Sequence, residues 1–166
     1  HRIDNTTSSL PAEEAQELLG YYRERFSTVG LFENEVYPGI PELLDRLCQA
    51  GKTMMVATSK PEVFARKILD HFQLAAYFSF VGGATLDGVR STKEEVINYV
   101  LKTNEVVSLS EVIMVGDRKF DILGAKHAGV SSVGCVYGYG SREELETAGA
   151  DYVVDSIGEL QNLLLP

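Results

Sequence analysis

"MVGDRKFDILGAKHAG", residues 114–129, decides how this chain folds. An apolar run ends in Gly116-Asp117 and a helical pattern begins at once, so a strand hands over directly to a helix. On a helix starting near Arg118, Asp121 lies about one turn beyond Asp117, and both carboxylates can face one spot. Two readings of the pair stand open. They can mark a helix start, with Asp117 near the N-cap and Asp121 in the first turn, both favoured by the helix dipole. Alternatively they can flank a cation, which removes their mutual repulsion.

The same handover recurs along the chain. "KTMMVATS" reads as a strand, followed by a helix over Pro61 to Phe72 that buries Phe64, Ile68 and Phe72. "YFSFVGG" is a second strand, and Lys93 to Lys102 a helix with Val96, Ile97, Val100 and Leu101 inward. "EVIMVG" is the third and "SSVGCVY" the fourth. Ser141-Arg142-Glu143-Glu144 predicts a capping box, and "DYVVD" with the helix through Leu164 closes the chain. Upstream, Ile40, Leu43, Leu44 and Leu47 face inward on a helix closed by Gly51 as C′ residue. Pro11 to Phe26 forms an amphipathic helix with Ala15, Leu18, Leu19, Tyr22 and Phe26 on one face. The connector Asn34–Gly39 separates residues 1–34 from a core of residues 35–166. Short apolar strands alternating with helices predict an α/β fold, a doubly wound, Rossmann-like parallel sheet.

Composition narrows the function. A chain of 166 residues, 45% hydrophobic, can bury a single-domain core. Its net charge of -9, with no basic stripe, argues against nucleic acid and anionic membrane as partners. No stretch approaches membrane-spanning length and no signal-peptide pattern is present, which predicts a soluble, cytoplasmic protein. Cys48 and Cys135 fall in helical and strand patterns and are expected to be buried thiols. His71 and His127 lack partners at metal-ligand spacing and read as structural. Gly82, Gly83, Gly138 and Gly140 lack the order of a dinucleotide fingerprint.

In a doubly wound sheet, ligands bind beyond the carboxyl ends of the strands. There the sequence places Thr58 and Ser59, then Lys93, then Asp117 and Asp121. Hydroxyls, a fixed cation and paired acids are the set that phosphoryl chemistry needs. Lys60, Arg118 and Lys119 read as surface charges that make the rim locally positive, and Glu94 and Glu95 as solvated helix residues.

These stretches carry a resemblance. "YPGIPELLDRLCQAG", "VATSKPEVFARKILDHF", "LDGVRSTKEEVI" and "VGDRKFDILGAKHAGV" resemble the haloacid dehalogenase-like (HAD) phosphohydrolases, and among them the phosphoglycolate phosphatase-like group with a helical cap. The resemblance implies that Thr58 holds the transferring phosphoryl oxygen, with Ser59 beside it, and that Lys93 neutralises nucleophile and phosphate. It implies that Asp117 ligates Mg2+ directly and that Asp121 orients the metal's waters or the lysine. It also implies a small phosphorylated metabolite as substrate and an aspartyl-phosphate intermediate.

One departure is clear. The family's first motif, D-x-D-G-T, is not in these residues; "RIDNTT" offers Asp4 alone. Residues 1–34 therefore read as the distal part of a helical cap, with the nucleophile and first core strand expected upstream of His1. The chain by itself is then expected to be inactive. A 5′-nucleotidase or pyrophosphatase of the same family and a non-catalytic phosphate-binding protein are the alternatives. A receiver domain would need its acids before the Thr and Lys, which is not the order here. Substrate and oligomeric state stay open.

Overall fold

The structure, a computed structural model, describes residues 35–165. The helix expected over Pro11–Phe26, the partial cap over residues 1–34 and Asp4 lie outside the described residues. Six helices and five strands alternate: α1 (Ile40–Gln49), β1 (Met55–Pro61), α2 (Glu62–His71), β2 (Phe80–Ala84), α3 (Lys93–Thr103), β3 (Ile113–Gly116), α4 (Lys119–Ala128), β4 (Ser131–Cys135), α5 (Arg142–Ala148), β5 (Tyr152–Val154) and α6 (Ile157–Leu164). Among the described residues every strand pairing is parallel, as the helix between successive strands allows.

The strands form two ladders, β1–β2 and β3–β4–β5. The second edges of β1 and β3 are paired by no strand among the described residues. The first register runs from Met55 opposite Phe80 to Thr58 opposite Gly83, then breaks before Pro61. Gly83 is a close-approach site, since a Cβ there would come within 2.6 Å of the Glu62 backbone.

Alternation along β4 sends Val133 and Cys135 to one face, where they join Leu43, Leu47, Val154 and Leu160 in a buried cluster. On the other face Gly134 lies against Leu145, and α4 packs on β3 and β4. Helix α3 lies on β1 and β2 and alongside α4. Val96, Ile122, Val133 and Leu145 are fully buried, each stabilising by roughly 1.5–3 kcal/mol relative to exposure. Gly51, at φ 72°, adopts the left-handed conformation expected of the C′ residue after α1.

Four local expectations need correction. Cys48 is exposed, because α1 buries the Leu43-Leu44-Leu47 stripe and Cys48 falls beside it. Helix α2 buries Ala65, whereas Phe64, Ile68 and Phe72 are only half-buried. Glu95 is exposed as expected, but its carboxylate is not left to water alone: it accepts from the Ser91 and Thr92 N–H groups at 2.8 and 2.9 Å and completes a capping box with Thr92. The box expected at Ser141 is only half made. Ser141 Oγ accepts from Glu144 N at 3.1 Å, but the Glu144 carboxylate turns to Arg118 Nε (3.0 Å) and Lys119 N (2.9 Å). A cation and a helix N-terminus attract it more strongly than one N–H group.

Candidate active site

The predicted residues meet at the carboxyl ends of β1 and β3. Thr58 ends the regular part of β1, and its Oγ1 accepts from Lys60 N at 3.1 Å, leaving the hydroxyl proton to donate outward. Ser59 is exposed next to it. Lys93 opens α3, and its stem reaches back so that Nζ donates to Ala57 O at 2.9 Å and pairs with Asp121 Oδ1 at 2.9 Å. One ammonium thus ties the end of β1 to the start of α4.

Asp121 is buried, 6% exposed. Its Oδ2 accepts from the N–H groups of Asp117 (3.2 Å) and Arg118 (3.1 Å), filling two vacancies where α4 begins. Gly116 makes this possible, because a Cβ there would overlap the Asp121 carboxylate. Asp117 is half-buried just beyond β3, with Oδ2 accepting from Tyr139 N at 2.8 Å and its carbonyl from Gly140 N at 2.8 Å. A continuous chain of contacts therefore runs from Thr58 through Ala57, Lys93 and Asp121 to Asp117.

The rim differs from expectation. Arg118 is paired with Glu144, which raises the guanidinium further above its ordinary value. Lys119 N–H and Arg118 together hold the Glu144 carboxyl below the usual carboxylate range. Of the three rim cations, Arg118 is thus matched within the protein. His127 pairs with Glu94 at 3.0 Å on the surface, and His71 stacks edge-on against Phe72 with ring centroids 4.8 Å apart.

The sequence profile of the family described as haloacid dehalogenase-like hydrolase matches residues 3–135. The chain belongs to that family. It is 43% identical over 158 residues to a 5′-nucleotidase of Pseudomonas aeruginosa, an alignment covering 95% of this chain and 71% of that one. It is 39% identical over 127 residues to a phosphoglycolate phosphatase of Vibrio parahaemolyticus, covering 76% of this chain and 55% of that protein. A crystal structure of a predicted phosphatase from Clostridium acetobutylicum superposes with a TM-score of 0.88 at 46% identity, covering 93% of this chain and 71% of that one. Among the described residues no helix is long and apolar enough to cross a membrane.

A divalent cation would find an incomplete donor set in this HAD chain. No three His, Cys, Asp or Glu side chains among the described residues converge on one point. Mg2+ asks for less, since it keeps several waters and takes one or two carboxylates plus substrate phosphate. Asp117 fits that role: Tyr139 occupies Oδ2, and Oδ1 has no hydrogen-bond partner among the described residues. Both oxygens of Asp121 are engaged by Lys93 and two N–H groups.

Sequence reasoning missed two supports of this site. Gly124, inside α4, lets the Lys93 stem cross, since a Cβ would stand 2.9 Å from Lys93 Cγ. Tyr139 and Gly140 hold Asp117 through backbone groups alone. A glycine inside a helical pattern and the "GYG" run after a strand were the available signals.

Proposed function

We propose that this protein is a Mg2+-dependent phosphatase that hydrolyses a small phosphomonoester through an aspartyl-phosphate intermediate. The observation that carries the reading is the Lys93 bridge between Ala57 O and Asp121 at the strand ends. An ammonium has three N–H donors, and two are fixed by the protein. The third is left to bind a phosphoryl oxygen from a position already set, so little reorganisation accompanies charge development. Thr58 donates its hydroxyl to a second phosphoryl oxygen. Asp117 offers Oδ1 to the cation, which when bound would neutralise phosphate charge. Asp121 acts through its neighbours, orienting Lys93 with one oxygen and the Asp117 backbone with the other.

The nucleophilic carboxylate is none of these residues. β1 and β3 each keep one edge unpaired among the described residues and the Lys93 bridge links their carboxyl ends, so a parallel strand added between them would bring its own carboxyl end to Lys93. That geometry favours a nucleophile carried on a segment outside residues 35–165. Identity of 43% to a 5′-nucleotidase makes nucleoside 5′-monophosphates the first substrates to assay, with phosphoglycolate beside them.

The test compares the complete protein with the 166-residue chain, using both substrate types, with and without Mg2+. The complete protein should turn over one of them, lose activity on metal chelation, and lose far more activity through Asp117→Asn than through Glu94→Gln. The 166-residue chain should be inactive. Phosphate binding without turnover by the complete protein would favour a non-catalytic binder. Turnover by the short chain at a normal enzymatic rate would overturn the assignment of the nucleophile.

A further inference from the structure

We propose that the loop Val136–Gly140 is a positioning clamp that presents a single oxygen of Asp117 to the metal, and that Gly138 and Gly140 are glycine for this reason. The inference rests on the reading of Asp117 as a metal ligand.

The loop leaves β4 held at its base by Val136 N to Val154 O (2.9 Å) and Gly138 N to Cys135 O (3.3 Å). Tyr137 anchors it from below: it is half-buried and packs edge-on against Tyr37 with centroids 5.6 Å apart. From that base two successive N–H groups reach Asp117, Tyr139 N to Oδ2 and Gly140 N to the carbonyl oxygen, each at 2.8 Å. One bond fixes the peptide, the other fixes the side-chain torsion. Together they leave Oδ1 as the oxygen with no hydrogen-bond partner among the described residues.

The glycines are not explained by backbone conformation. Neither Gly138 nor Gly140 lies in the left-handed region, where the positive-φ glycines among the described residues are Gly39, Gly51, Gly88, Gly129 and Gly149. Space explains them. A Cβ on residue 138 would overlap the side chain of Asp117, and a Cβ on residue 140 would overlap its carbonyl oxygen. Any side chain at either position forces the carboxylate and the loop apart. Tyr139 contributes its backbone; its own side chain is 83% exposed. Groups that orient a metal ligand are typically worth about 10–100-fold in metal affinity.

The experiment uses the complete protein, with Mn2+ as a spectroscopic probe titrated by electron paramagnetic resonance without substrate. Thermal melts in chelator report folding. Gly138→Ala should weaken Mn2+ binding about 10–100-fold, and the Mg2+ concentration for half-maximal turnover should rise by a similar factor. The kcat at saturating Mg2+ should return towards that of the unsubstituted protein, which a merely structural defect would not give. Tyr139→Pro replaces the N–H donor to Oδ2 by a ring Cδ that presses on the same oxygen, so it breaks this hold on Asp117 from residue 139, and should weaken Mn2+ binding in the same direction if Gly138→Ala proves unable to fold. Gly158→Ala is the control, because its Cβ meets only Ser156 Oγ at 3.8 Å. Folded Gly138→Ala and Tyr139→Pro proteins that bind Mn2+ like the unsubstituted protein would overturn the clamp. An unsubstituted protein that binds no Mn2+ would instead overturn Asp117 as a ligand.

Discussion

Replacing Asp121 by alanine should destabilise the protein severely, and the reason can be followed atom by atom. The carboxylate, 6% exposed, holds the Lys93 ammonium at 2.9 Å and two backbone N–H groups at 3.1 and 3.2 Å. Its removal strands a cation whose side chain is only 14% exposed and leaves two donors at the start of α4 without their acceptor. Removing one partner of a buried pair costs about 3–5 kcal/mol. Orphaned donors cost about 1–3 kcal/mol each when dry, and less at a strand end that water can reach. These losses share one carboxylate and do not add, so about 4 kcal/mol is expected. For a protein of this size that corresponds to a fall in Tm of about 8–16 °C. Urea unfolding followed by circular dichroism gives the number, and a double-mutant cycle gives its origin. Lys93→Met keeps the stem and removes the charge, so Asp121→Ala/Lys93→Met should recover about 1–3 kcal/mol relative to additivity. A loss below about 1 kcal/mol in Asp121→Ala, or strict additivity in the cycle, would refute the pair as a buried, mutually dependent unit.

Gly124→Ala should gain up to about 1 kcal/mol in helix propensity yet reduce the proposed phosphatase turnover, because its Cβ displaces the Lys93 stem; unchanged kcat would show that Lys93 has room to spare. Glu144 is held below the ordinary carboxyl value of 4.5, so its stabilisation is complete well above that pH and fades as pH falls through the lower folded value. Glu144→Gln should therefore lower Tm at pH 7 and lower it less at pH 3.5; an equal difference at both would sink the linkage. Of the two thiols, exposed Cys48 should react quickly with a disulfide reagent at pH 8. Cys135, buried and with its pKa pushed up chiefly by desolvation, should react only as the protein unfolds, and equal rates would contradict that burial.

The order of strands and helices was legible, and for α1 and α3 the buried face as well, because these depend on neighbours two to four residues apart, where period alone separates strand from helix. The strand–helix alternation likewise put Thr58 and Asp117 where strands end and Lys93 and Asp121 in the first turns of the helices that follow. Helix starts were legible only in part: the box expected at Ser141 loses Glu144 to Arg118, 26 residues away, while Thr92 closes one with Glu95, which the sequence marked only as a solvated residue. Which charges pair was decided by tertiary structure alone. Lys93 finds Ala57 O across 36 residues, and Asp117 is held by Tyr139 across 22. No local pattern records such contacts, because they arise when separate strand ends come to lie side by side. The four glycines at positions 116, 124, 138 and 140 show the limit most clearly. Each reads along the chain as a turn or a weak helix position, and only packing shows that the atom each lacks would occupy the space of Asp117, Asp121 or Lys93.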